Sequence, residues 1–96
     1  MTLFLNRKYT LNNGRDVIVN INYPVQDGMN FCCFISIAGL EGPVLSLKSI
    51  GIDTIQCVYE GLRMAGTILI ESDEFRRGEL QWEAGMGDDD LGLPNY

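Results

Sequence analysis

The chain has 96 residues, of which 46% are hydrophobic and 21% charged. This composition excludes a disordered chain, and this length excludes two hydrophobic cores. We therefore expect one domain spanning residues 1–96. No apolar run approaches the roughly 18 residues that cross a bilayer, and the N-terminus has no signal-peptide pattern, so we expect a cytoplasmic protein. The formal net charge of −6 at pH 7 disfavours nucleic acid and anionic membranes as partners, because both are bound through Lys and Arg.

The first half of the chain predicts a meander of antiparallel strands. Residues 2–11 are rich in strand-forming side chains, and the Asn13-Gly14 pair after them is typical of a hairpin turn. Residues 15–23 alternate between apolar and polar side chains, which indicates a second strand with one buried face. Pro24 and the turn signal at Asp27-Gly28 then end this strand and reverse the chain.

Two further strands follow in the sequence. Residues 31–38, FCCFISIA, are apolar on both faces, which is typical of a central strand. Gly39, Gly42 and Pro43 end this strand, and the alternation in residues 44–50 predicts a fourth one.

The apolar period then changes from two residues to three or four, which predicts an amphipathic helix. Asp53 can accept a hydrogen bond from the amide of Gln56, and the Gln56 side chain can bond back to the Asp53 amide, as in a capping box. At Gly61 and Gly66 we expect close packing of the helix backbone on the sheet, with a ligand contact as the alternative. The apolar stripe expected to pack on the sheet consists of Ile55, Val58, Tyr59, Leu62, Ala65 and Leu69.

The last third of the chain is less regular. Residues 71–78 are typical of a polar connection, residues 79–83 of a short final strand, and residues 84–96 of a loop or a docked tail. The whole pattern predicts an α+β fold, in which an antiparallel sheet of about five strands, in the order ββββαβ, carries the amphipathic helix on one face.

The three cysteines favour free, buried thiols. Cys32 and Cys33 are neighbours that would point to opposite faces of a strand, which argues against a disulfide framework. Cys57 forms no C-x-x-C pair with either of them and the chain has no histidine, so we expect no zinc site. Free Cys usually packs as a small apolar side chain.

Recognisable catalytic motifs are missing from the sequence. The absence of histidine removes the usual base of a nucleophilic triad, and neither G-x-G-x-x-G nor a P-loop is present. Acid–base chemistry by a pair of carboxylates is the alternative that the composition leaves open. We therefore expect a protein that is not an enzyme and that uses no cofactor.

Residues 85–92, GMGDDDLG, place three carboxylates in a row. Asp88, Asp89 and Asp90 are suitable ligands for calcium or magnesium, but the segment lacks the alternating spacing and the distal Glu of an EF-hand. We therefore expect no metal here. The remaining interpretations are a solvated acidic loop and a surface that docks a partner.

The distribution of charge favours a cationic partner. Residues 1–48 carry four basic and three acidic side chains, a balance of +1, whereas residues 49–96 carry three basic and ten acidic ones, a balance of −7. Such a field attracts a basic protein. Trp82, the one tryptophan, is expected to pack in the core or to anchor an interface. The predicted partner-binding residues are Asp88, Asp89, Asp90, Glu79, Glu83 and Trp82.

Four stretches of the chain, CCFISIAGLEG, SIGIDTIQCVYEGLRMAG, GELQWEAGMG and LGLP, resemble a family of small bacterial proteins of unknown function. In that family a C-x-[FY]-x-I-x-G-[LI] strand precedes a G-x-D-x-[LI]-Q helix start, and a late strand with Trp leads to a closing Leu-Pro. The chain departs from this pattern in its adjacent cysteines and its acidic triplet. The resemblance implies that Gly51, Asp53 and Gln56 shape the start of the helix. It also implies that Cys33, Ile35 and Ile37 belong to the core.

Some members of the family are similar to immunity proteins that protect bacteria from contact-dependent or other polymorphic toxins. The resemblance therefore implies a non-catalytic protein that binds and neutralises a cognate basic toxin domain, such as a nuclease, through an acidic surface. The alternative is a small homodimeric housekeeping or scaffold protein with no toxin partner.

Overall fold

The computed structural model describes residues 3–82 and 91–96, which form an α+β fold. The elements, in chain order, are β1 (Leu3–Leu11), β2 (Asp16–Asn22), β3 (Val25–Asp27), β4 (Asn30–Ala38), β5 (Leu45–Gly51), α1 (Thr54–Glu71), α2 (Asp73–Arg76) and β6 (Leu80–Gln81). β1, β2, β4 and β5 lie side by side in that order, β6 extends the sheet beyond β1, and every pairing is antiparallel. The predicted fold, an antiparallel sheet with one main helix, is confirmed.

The segment predicted as a simple reversal contains the short strand β3. Pro24 ends β2 because proline cannot donate a ladder hydrogen bond. Val25–Asp27 then pairs with the first residues of β4, and Gly28, with a φ of +65°, begins the two-residue turn between them. β2 and β3 therefore line the same edge of β4. Three residues are too few for an alternating pattern to indicate a strand.

The segment predicted as a polar connection contains α2, a helix of four residues. The hydroxyl of Ser72 caps it by accepting a hydrogen bond from the amide of Phe75 at 3.2 Å. Glu74, only 4% exposed, accepts a hydrogen bond from the amide of Glu41 at 2.6 Å. This buried carboxylate fixes the β4–β5 loop against α2, because a charged acceptor makes a strong hydrogen bond.

The start of α1 follows its sequence signal. The Asp53 side chain accepts a hydrogen bond from the Gln56 amide at 2.7 Å, as predicted for an N-cap. The Gln56 side chain bonds back to the amide of Ile52 at 2.7 Å, one residue earlier than the predicted Asp53 amide. Both bonds satisfy amides that would otherwise lack a helical partner.

The core lies between the sheet and α1, which packs on β4 and β5 through small side chains. A Cβ at Gly61 would approach the Ile35 side chain at 3.3 Å, so this glycine allows close packing on the sheet, as predicted. Gly66 differs from the prediction, since a Cβ there would collide with the carbonyl oxygen of Pro94. Gly66 therefore faces the C-terminal tail. In the described part of the chain, no helix is long and apolar enough to span a membrane.

The predicted apolar stripe of α1 is wider than the face that the sheet buries. Ala65 and Leu69 are completely buried, but Ile55 is 81% exposed and Tyr59 is 49% exposed. Their packing on the sheet was therefore predicted wrongly. Apolar spacing alone cannot show how far around the helix the sheet reaches.

Candidate protein-binding surfaces

The predicted contact residues divide into two groups. Glu83 and the triplet Asp88, Asp89 and Asp90 fall within residues 83–90, outside the described residues. Glu79 and Trp82 are described, and they lie at the two ends of the short β6 region. Their surroundings differ.

Glu79 lies in a small ion-pair network on the surface. Its carboxylate accepts a hydrogen bond from the Arg77 guanidinium at 3.0 Å, and the same guanidinium contacts the Glu41 carboxylate at 2.9 Å. The hydrogen bond to Glu79, and then the one to Glu41, raise the pKa of Arg77 above its usual value. A partner cation would therefore compete with Arg77 for Glu79.

More carboxylates surround this network, where α1 ends and α2 begins. We call this surface the acidic end and define it by Glu41, Glu71, Asp73 and Glu79. Glu41, Glu71 and Asp73 are exposed and Glu79 is half-buried. The hydrogen bond of Glu74 to the Glu41 amide brings the β4–β5 loop to this place. The acidic end therefore joins carboxylates from the middle and the last third of the sequence.

Trp82 holds the C-terminal tail. The Arg7 guanidinium lies over its ring, 4.0 Å from the centroid, and donates a hydrogen bond to the carbonyl of Gly92 at 2.9 Å. A Cβ at Gly92 would collide with the Trp82 ring, so only glycine permits this contact. We call Arg7, Trp82 and Gly92 the tail clamp. The half-buried Trp82 packs against the core, which is the first of its two predicted roles.

The rest of the tail is also fixed to the domain. The Tyr9 hydroxyl donates to the carbonyl of Leu91 at 2.8 Å, and Leu91 and Leu93 are buried. At the end of the chain, the Tyr96 amide donates to the Thr67 hydroxyl at 3.0 Å. The sequence LGLP therefore covers the part of the sheet that α1 leaves open, and it forms the docked tail that was one of the two predictions for this region.

Two apolar cavities, of about 260 and 630 Å³, lie along α1 and share Leu62 in their lining, and we call them together the apolar groove. Exposed aromatic and aliphatic side chains stand at its wider end, where Tyr23 is 50% exposed. The wider cavity is lined by Tyr23, Pro24, Thr54, Ile55, Val58, Tyr59 and Leu62. In the sequence, the residues that indicate this groove are Tyr59 and its apolar neighbours in the helix stripe. The apolar pattern predicts that they pack in the core.

Comparison with known proteins identifies the family. A family model, described as a domain of unknown function (DUF6968), matches residues 5–95. The chain belongs to the DUF6968 family. Neither the curated proteins nor the solved structures contain a match to it. The matched range begins within β1 and reaches past Pro94, so it includes the tail clamp as well as the sheet and α1.

The DUF6968 domain also brings two of its thiols together. Cys32, Cys33 and Cys57 are all free and buried, which confirms the prediction from the sequence. Cys32 lies on the sheet face away from α1, whereas the Sγ atoms of Cys33 and Cys57 are 3.1 Å apart beneath the helix. Desolvation by burial, followed by the hydrogen bond with Cys57, raises the pKa of Cys33 to about 12. The Cys33 thiol is therefore protonated at neutral pH.

Proposed function

We propose that this protein is a non-catalytic inhibitor that binds and neutralises a cationic toxin domain, as immunity proteins of contact-dependent or other polymorphic toxin systems do. A nuclease domain is the partner whose chemistry fits best, because a protein that binds phosphates carries Lys and Arg around its active site. A carboxylate-rich protein placed over that site would exclude the nucleic acid.

The observation that carries this proposal is the uneven charge of the chain. Residues 49–96 have a balance of −7, from three basic and ten acidic side chains. Three of these carboxylates, those of Glu71, Asp73 and Glu79, lie at the acidic end, which the β4–β5 loop extends with Glu41. Complementary potential of this kind speeds the encounter of two proteins more than it strengthens the final complex.

Residues 83–90 add further negative charge to this half of the chain. This segment holds four carboxylates and no Lys or Arg. Trp82 precedes it and Leu91 and Gly92 follow it, and Trp82 contacts Gly92 in the tail clamp. The described residues on either side of this segment, Trp82 and Leu91, are therefore both fixed to the domain. We propose that Asp88, Asp89, Asp90 and Glu83 contact the partner directly, with Glu79 contributing after Arg77 releases it.

Trp82 has a supporting role in this proposal. Its ring is engaged by Arg7 and Gly92. A Trp that anchors an interface enters a pocket on the partner, and the contacts of Trp82 leave less of its ring for that purpose. We therefore propose that Trp82 acts on the partner through the tail clamp, by holding the ends of the acidic segment.

The proposal expects a toxin-like protein to be encoded beside this chain, and the test is the rate of association with that protein, measured by stopped-flow fluorescence over a range of NaCl concentrations. Association should slow steeply as salt screens the charges, and it should slow further when Asp88, Asp89 and Asp90 are all changed to Asn. Asp88→Asn and Asp27→Asn each remove one negative charge, and Asp27→Asn is the matched control. Asp27 pairs with Lys48 at 3.5 Å, far from the acidic end in the sheet. Equal rates for the triple variant and the native protein would contradict the proposal.

The second candidate function is a homodimeric scaffold protein, which the apolar groove favours. The groove exposes Ile55 and Tyr59, and aromatic and aliphatic side chains of this kind form the centres of protein interfaces. In addition, the seven-residue strand β5 pairs with β4 alone among the described strands. Sedimentation equilibrium separates the two candidates, because a scaffold dimer would show twice the mass of one chain and would become monomeric after Ile55→Asp.

A further inference from the structure

Cys33 and Cys57 form a close pair in the core. They are 24 positions apart in sequence, yet their Sγ atoms lie 3.1 Å from each other. Both residues are 0% exposed. Cys33 lies on the central strand β4 and Cys57 in the first turn of α1, so the pair spans the contact between the sheet and the helix.

Neighbouring residues fix this arrangement. Cys33 is opposite Ser49 in the register of β4 and β5. The Ser49 hydroxyl donates to the carbonyl of Cys57 at 2.8 Å and holds the first turn of α1 over the strand. A Cβ at Gly51 would collide with the backbone of Cys57, so this glycine is what allows the helix to approach so closely. The sulfur contact is therefore built by the strand register, one hydrogen bond and one glycine.

We propose that Cys33 and Cys57 are a latent disulfide pair, which a peroxide oxidises to a single intramolecular bond that ties α1 to β4. A disulfide has an S–S distance of about 2.05 Å, so the two sulfurs, now at 3.1 Å, need to approach by only about 1 Å. The proposal requires rotation of the two side chains to supply this movement. Cys32, on the opposite face of β4, is not part of the pair.

The chemistry takes two steps. Hydrogen peroxide transfers one oxygen to the thiol of Cys57, which becomes a sulfenic acid while one molecule of water is released. The thiol of Cys33 then attacks the Cys57 sulfur, the S–O bond breaks, and the hydroxyl leaves as a second molecule of water after taking the proton of Cys33. The two thiols are oxidised by two electrons in all, and the peroxide is reduced by the same number.

Burial makes this reaction depend on an opening of the helix. Cys57 lies one turn after the N-cap, and its amide donates to the carbonyl of Asp53 at 3.1 Å. Helix ends open more readily than core strands, so Cys57 becomes accessible to peroxide before Cys33 does. The opening of the first turn of α1 therefore sets the rate of oxidation. The N-cap residue Asp53 stabilises this turn against opening.

The first experiment treats the full chain with hydrogen peroxide, alkylates the remaining thiols and maps the peptides by mass spectrometry. We expect one species that has lost the mass of two hydrogen atoms, with Cys33 joined to Cys57 and Cys32 alkylated. Cys32→Ser should form the same bond, whereas Cys33→Ser and Cys57→Ser should not. Alkylation of both Cys33 and Cys57 in peroxide-treated native protein, or a bond from Cys32 to either, would overturn the proposal.

The second experiment measures how fast the bond forms in two helix-cap variants. Asp53→Ala removes the cap of α1 and should speed formation about fivefold, the effect expected when an N-cap is lost. Ser72→Ala removes the cap of α2, remote from the thiols, and should leave the rate unchanged. Equal acceleration in both variants would mean that the thiols react only through global unfolding, and would refute control by the first turn of α1.

Discussion

Gly66→Ala tests the crossing of the tail over α1. Alanine in a helix interior normally stabilises it by about 1 kcal/mol relative to glycine. At Gly66 the added Cβ would collide with the carbonyl oxygen of Pro94, which is backbone and cannot move without displacing the tail. Displacement would expose the buried side chain of Leu93, at a cost of roughly 1.5–3 kcal/mol. We expect the difference, a net loss of about 0.5–2 kcal/mol in the free energy of unfolding.

The assay is urea denaturation followed by tryptophan fluorescence. Trp82 is the one tryptophan in the chain and contacts Gly92, so its emission reports on both unfolding and the docking of the tail. A net loss of this size would lower the melting temperature by roughly 2–16 °C in a domain of this length.

Gly61→Ala is the matched control. Its added Cβ would meet side chains, at 3.2 Å from the Ser49 hydroxyl and 3.3 Å from Ile35 Cδ1, and side chains can shift by a few tenths of an ångström. We expect Gly61→Ala to change stability by less than Gly66→Ala and to leave the emission of Trp82 unchanged. If Gly66→Ala is as stable as the native protein, the tail does not cross α1 at this position.

Three further predictions use the same denaturation assay. Arg7→Lys should cost about 1–2 kcal/mol and shift the emission of Trp82, because lysine cannot both stack on the ring and bond the tail carbonyls; an unshifted emission would speak against the tail clamp. Glu74→Gln should cost about 1 kcal/mol, since an amide is a weaker acceptor for the Glu41 amide than a carboxylate, whereas the exposed Glu71→Gln should be neutral; equal effects would refute this assignment. The folded state raises the pKa of Cys33 from 9.0 to about 12, so between these values it binds more protons than the unfolded state. The stability contribution is complete below pH 9 and is lost as the pH rises toward 12, and Cys33→Ala should flatten this part of the stability curve.

Local signals made much of the fold predictable. The hairpin between β1 and β2 follows from Gly14, which adopts a φ of +88°. The buried face of β2 follows from the alternation of Val17, Val19 and Ile21, all of which are buried. The start of α1 follows from the cap formed by Asp53. Each of these features depends on residues close together in sequence, so their chemistry is sufficient to specify them.

Of the candidate site, only the negative charge could be predicted from the sequence. Counting side chains shows that the second half of the chain is acidic. Counting cannot show that Arg77 bridges Glu79 and Glu41, because Glu41 comes from a loop 36 positions earlier. It also cannot show that Ile55 and Tyr59 line an open groove, because their exposure depends on where the sheet and the tail end.

By itself, the sequence determined the fold class, the order of the main elements, the burial of the thiols and the acidic second half. Only the tertiary structure decided which distant residues meet: Arg7 with Gly92, 85 positions later, and Cys33 with Cys57, 24 positions later. The physical reason is that turns, caps and alternation are set by interactions within a few residues. Contacts across the chain are set by strand register and by how closely glycine lets two backbones approach.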